Sequence, residues 1–170
     1  MNETPERVEP PFAADESTML ASWLDFHRAT LALKCADLTD EQLKRRPVTP
    51  STLSLLGLVR HLAEVENYWF QVVLHGGDPT PLYYTDEDRD YDFNGVDDAD
   101  AATDLAAWHR EVERARTAVA DLPLETVGKT LRAGEGVTLR WIMVHMIEEY
   151  ARHNGHADLL REAVDGRTGE

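Results

Sequence analysis

The chain of 170 residues has one cysteine, Cys35, and is short of basic side chains: 17 lysines and arginines stand against 32 aspartates and glutamates, for a net charge of −15. A single thiol excludes an internal disulfide and fits a reducing compartment. The acidic excess repels phosphate backbones and anionic headgroups, so neither nucleic acid nor a membrane surface is an expected partner. No apolar run approaches the roughly 18 residues that a membrane span requires. Residues Met1 to Glu16 are acidic and proline-bearing, without the apolar centre of a signal peptide. The expectation is a cytoplasmic protein.

What is present is ordinary for a folded chain, with 42% hydrophobic and 29% charged residues. The expected organisation is a flexible N-terminal segment over 1–16, a single helical domain over 17–164 and a polar tail over 165–170.

Hydrophobic periodicity predicts four main helices. The first runs from Ser17 to Asp37 on the repeat Leu20, Leu24, His27, Leu31, Cys35 and Leu38. A short turn at Thr39–Arg45 carries a capping-box pattern in Thr39 and Gln42. The second helix starts at Ser51 or Ser54 and ends at Leu74, before Gly76 and Gly77. The third spans Ala101–Leu122 and stops at Pro123. The fourth covers Val137–Glu162. Between the second and third lie 26 residues, His75 to Asp100, with eight aspartates. That exceeds what joins antiparallel neighbours, so the segment is expected to cross over and let these helices run parallel. Residues Pro123 to Gly136 are expected to form a small extended ribbon over one end. The four tryptophans, Trp23, Trp69, Trp108 and Trp141, fall at core periodicities.

The fourth helix bears the chemistry. His145, Glu149, His153 and His156 follow at spacings of four, four and three, which places them within an arc of roughly 80° at 100° per residue. Ile142, Met146 and Leu160 share that face. An acid and several imidazoles among hydrocarbon are costly when unpaired, and a bound metal offsets that cost. On the second helix, His61 shares a stripe with Leu58, Val65, Trp69 and Val72. If the two helices are neighbours, His61 meets the i, i+4 pair Glu149 and His153, a pattern that builds metal sites inside bundles. Three ligands leave a fourth position open to water or substrate. Two imidazoles and a carboxylate suit Zn²⁺, with Fe²⁺, Ni²⁺ and Mn²⁺ also compatible. His145 and His156 remain as alternative ligands or as partners of the ligands. His27 and His109 are unassigned, and Cys35 reads as a small buried hydrophobe.

The segments Arg60–Glu66 and Glu149-Tyr150-Ala151-Arg152-His153-Asn154-Gly155-His156 resemble the DinB-like superfamily of metal-dependent four-helix-bundle proteins. Many members carry a histidine, a second histidine four residues on, then a glycine and a glutamine. Here Glu149 takes the place of the first histidine and His156 that of the glutamine, as in the mycothiol-dependent maleylpyruvate isomerase-like branch. By this resemblance the metal ligands are His61, Glu149 and His153. The resemblance covers roughly Ala21 to Glu162 and implies an all-α four-helix bundle with a long crossover between helices two and three, usually a homodimer. It also implies a low-molecular-weight thiol as cosubstrate, such as mycothiol, bacillithiol or glutathione, activated for attack on an electrophile. The excess of 14 arginines over three lysines, as GC-rich coding produces, points toward mycothiol.

The functional expectation is therefore metal-dependent thiol transfer or isomerisation. Two alternatives share the same ligands: a non-catalytic metal-binding stress-response or interaction bundle, and a metal-dependent hydrolase acting through bound hydroxide.

Overall fold

The computed structural model describes residues 6–169. Residues 1–5 of the expected N-terminal segment, and Glu170 of the tail, lie outside the described residues.

The fold is all-α. Helix α1, Glu16–Cys35, is capped by Asp15, whose carboxylate accepts the Thr18 N–H at 3.0 Å. Helix α2, Asp40–Lys44, has the reciprocal Thr39–Gln42 capping box expected of it. Helix α3, Leu55–Glu66, begins at Ser54, whose Oγ accepts the Gly57 N–H. It continues as a wider π-helical stretch over Asn67–Leu74. The long crossover carries one short helix, α4, Tyr91–Asn94. Helix α5, Ala101–Val119, starts at its Asp100 cap and ends three residues before Leu122. Helix α6, Leu139–Asp165, runs from the Thr138 cap to Gly166, which takes the left-handed φ of 78° typical of a helix stop.

Contacts at the helix ends set the directions. Arg60 pairs with Asp104 near the starts of α3 and α5, and His75 Nε2 meets the Ala118 carbonyl at their ends, so α3 and α5 run parallel. Glu16 pairs with Arg140, and Lys34 with Asp158, so α1 and α6 are parallel too. His61 faces His153 while Trp69 faces Trp141, which makes α3 and α6 antiparallel. The crossover thus has the effect anticipated for it.

Leu31, Leu58, Leu62, Phe70, Ile142 and Met146 are among the fully enclosed side chains of the core, each worth about 1.5–3 kcal/mol of burial. A buried polar relay runs through the same core. Arg28 donates from Nε and Nη2 to the two oxygens of Glu66, at 2.8 Å each. The Tyr150 hydroxyl donates to Glu66 Oε1 at 2.8 Å and accepts the Trp108 indole N–H at 2.8 Å. The relay joins one residue from each of α1, α3, α5 and α6.

Two expectations need correction. Trp69 and Trp108 are buried, but Trp23 and Trp141 are 41% and 49% exposed, because helical periodicity places a side chain on a face without saying how far the neighbouring helix covers it. The expected ribbon after Pro123 forms only isolated bridges, Val127–Thr138 and Arg132–Glu135. Its N–H groups turn instead to the end of α3: Lys129 donates to the Leu74 carbonyl and Thr130 to that of Val73, satisfying groups that a helix terminus leaves free. None of the described helices is long and apolar enough to cross a membrane.

Candidate metal centre

The antiparallel contact of α3 and α6 brings His61 beside Glu149 and His153. Glu149 Oε2 lies 4.0 Å from His61 Nε2 and 3.5 Å from His153 Nε2. One donor atom from each of the three falls within 4.8 Å of the others.

The outer nitrogens of both rings are already engaged. His61 Nδ1 donates to Asp92 Oδ2 at 2.8 Å, which aims Nε2 at the centre. The Nδ1 atoms of His153 and His156 are 3.3 Å apart, so His153 Nε2 likewise faces inward. Partners that orient ligand imidazoles in this way are a regular part of metal sites. Two inward nitrogens and one carboxylate oxygen, on rings fixed from behind, fit a divalent cation.

The local field has the matching sign. Hydrogen bonds from His153 and then His61 hold the Glu149 carboxyl well below the usual carboxylate range, against the opposing effect of its burial. Burial of His61 disfavours its charged form, but the hydrogen bonds to Asp92 and Glu149 outweigh that and raise it to about 9. A place that draws a proton so strongly is also favourable to a cation. Burial, reinforced by His153 and Arg152, lowers His156.

Neither His145 nor His156 joins the converging trio. His145 Nε2 approaches the other carboxylate oxygen of Glu149 at 3.4 Å, while its ring stacks on Trp141 and meets Trp69 edge-on. His145 and Glu149 also come close to Glu148, which is tied to Arg152. His27 is half-buried and His109 exposed, and neither joins the trio; the His27 backbone carbonyl accepts from Asn154, and His109 lies against Trp108.

Sequence reasoning missed Asp92. It stands in the acidic crossover, 4% exposed, beside Phe93, whose ring stacks on His61 at 5.0 Å. The available signal was an acid flanked by aromatics, Tyr91-Asp92-Phe93, within an otherwise polar tract. Residues of α3 grip that crossover. Arg60 donates to the carbonyls of Asp92 and Tyr91, and Glu64 Oε2 accepts the N–H groups of Leu82 and Tyr83 at 2.8 and 2.9 Å. Beside the trio opens a cleft of about 350 Å³, with His61, Tyr68, Trp69, Asp92, Phe93 and Arg132 in its walls.

An all-helical chain whose long crossover packs on a helical histidine, which in turn faces a Glu–His pair on the antiparallel helix, is a DinB-like protein. The family model described as Mycothiol-S-transferase matches residues 19–166, and the chain belongs to that family. No curated protein matches it.

Proposed function

We propose that this chain is a cytoplasmic, divalent-metal-dependent S-transferase or isomerase that uses mycothiol, with His61, Glu149 and His153 as the metal ligands. The observation that carries this reading is the convergence of three donor atoms whose rings are fixed from behind by Asp92 and His156. Zinc suits two imidazoles and one carboxylate, and nickel, iron or manganese would be held by the same atoms.

When bound, the cation favours thiolate over thiol, so the nucleophile is available at neutral pH. The protein's own groups do the rest. Asp92 keeps the His61 proton on Nδ1, and the carboxylate of Glu149 offsets cationic charge. Phe93 and Trp69 wall the cleft against water and shape the space in which an electrophile meets the sulfur. Because neither His145 nor His156 joins the trio, a position remains for substrate beside a cleft, which supports a catalytic reading over a purely structural one.

The test has two separable parts. Purified protein should contain about one divalent ion per chain and gain thermal stability from added Zn²⁺, and Glu149→Ala and His153→Ala should lose both. Metal-free protein that gains nothing from Zn²⁺ or Ni²⁺ overturns the metal assignment. Metal-loaded protein should then accelerate the reaction of mycothiol with an alkylating electrophile. Equal rates for the wild type and His153→Ala remove the transferase assignment.

A further inference from the structure

Arg132 is singular among the 14 arginines of the chain. Each of the others makes a hydrogen bond or ion pair with a described residue, Arg110 by its approach to Glu111 and Arg45 through the Val164 carbonyl. Among the described residues the Arg132 guanidinium has neither; it lies over the faces of Tyr68 and Trp69, 5.7 and 5.8 Å from their centroids. Those rings and Arg132 line the cleft that also contains His61.

The arm that carries Arg132 is built to hold it there. Arg132 and Glu135 exchange backbone hydrogen bonds of 2.9 and 3.0 Å around Ala133 and Gly134, both at positive φ, 52° and 84°. This is the two-residue hairpin loop whose twist suits short extended arms. Below it, the arm is fastened to α3 by the N–H groups of Lys129 and Thr130 and by the Thr130 hydroxyl, which donates to the Val72 carbonyl at 2.9 Å.

Of the other charges in the cleft, all but Asp90 have a partner. Two backbone N–H groups cover Glu64, His61 covers Asp92, and Arg89 is paired with Asp86; Asp90 is exposed in solvent. In a chain of net charge −15, an arginine left without a carboxylate and held against a wall of aromatics is a site for an anion supplied by the ligand. The guanidinium fork matches a carboxylate, and the rings it covers offer a flat apolar surface to the group that bears it.

We propose that Arg132 is a specificity-determining residue that binds a carboxylate on the electrophile, while the reacting end of that ligand points toward His61. This rests on the functional reading above in taking the cleft as the substrate site.

The test uses three thioether adducts titrated calorimetrically into the full chain. One is neutral, from N-ethylmaleimide and N-acetylcysteamine. The second carries its carboxylate on the electrophile side, from 3-maleimidopropionate and N-acetylcysteamine. The third carries it on the thiol side, from N-ethylmaleimide and N-acetylcysteine. The adduct with its carboxylate on the electrophile side should bind the wild type at least about tenfold more tightly than the neutral one, as expected for a charge-assisted pair. A preference for the thiol-side carboxylate alone overturns the proposal. Arg132→Gln should remove the preference and Arg132→Lys should keep part of it; both should fold, since the side chain is exposed and makes no hydrogen bond.

Equal affinity for the three adducts, no binding of any, or an unchanged preference in Arg132→Gln overturns the proposal. Metal content is measured on the same samples. An Arg132-dependent preference in a chain that takes up no metal would sink the metal assignment and leave this one standing.

Discussion

Asp92 Oδ2 lies 2.8 Å from His61 Nδ1, so a carboxylate from the crossover decides which nitrogen of a helical histidine faces the candidate centre. The two residues are 31 positions apart, and their meeting depends on Arg60 and Glu64 holding the intervening chain against α3.

Asp92→Asn keeps the shape and removes the charge that supports His61. The expected result is a fall in Zn²⁺ affinity of about 10–100-fold, the usual effect of losing such a partner, with little change in helix content. Competition against a chromophoric chelator measures it. Unchanged affinity would mean that Asp92 merely packs.

The Arg28–Glu66 pair is bidentate and buried. Arg28→Met strands the Glu66 carboxylate in the core, which costs about 3–5 kcal/mol. Chemical denaturation should register the loss. Arg28→Met combined with Glu66→Leu should recover a large part of it, because the pair itself is close to neutral in net stability. A double variant as unstable as the single one would show that Tyr150 and Trp108 depend on Glu66 for their own satisfaction.

Burial pushes the Cys35 thiol up to about 12. The native protein should therefore give no fast reaction with a disulfide reagent at pH 8, and labelling should follow unfolding. The sign of the linkage is fixed by the raised value. The neutral thiol is favoured in the fold, so its contribution is fully present below the unfolded value of about 8.5 and declines as pH rises toward 12. Stoichiometric labelling within seconds under native conditions would contradict the enclosed position.

Gly128 lets the Arg132 arm lie against the end of α3. A Cβ there would come within 2.6 Å of the Val73 carbonyl oxygen, a backbone atom that cannot swing aside. Gly128→Ala is expected to lower stability by about 1–3 kcal/mol and to weaken protection from hydrogen exchange at Lys129 and Thr130, whose N–H groups bond to α3. Gly134→Ala, with nothing within 4 Å of its Cβ but a positive φ of 84°, should act through backbone strain alone and leave those N–H groups protected.

The helices and half of the candidate site were legible from spacing. A period of 3.6 puts Glu149 and His153 one turn apart wherever α6 ends, and the caps at Thr39 and Ser54 are local hydrogen bonds between residues three apart. The third member, His61, was legible because it interrupts an apolar stripe. Other features carry no such mark. Trp141 has core spacing yet remains half-exposed, and the wide turns over Asn67–Leu74 interrupt no periodicity that the residues display.

By itself, then, the sequence determined which side chains share a face and where helices start, since both follow from backbone geometry and hydrogen bonds within a few residues. Tertiary structure alone decided that Asp92 backs His61, that His156 rather than solvent meets His153, and that Arg132 stands free over Tyr68 and Trp69. Those relationships join separate segments, and their geometry is set by how α3 and α6 pack and by where the crossover and the hairpin find partners for their backbone groups.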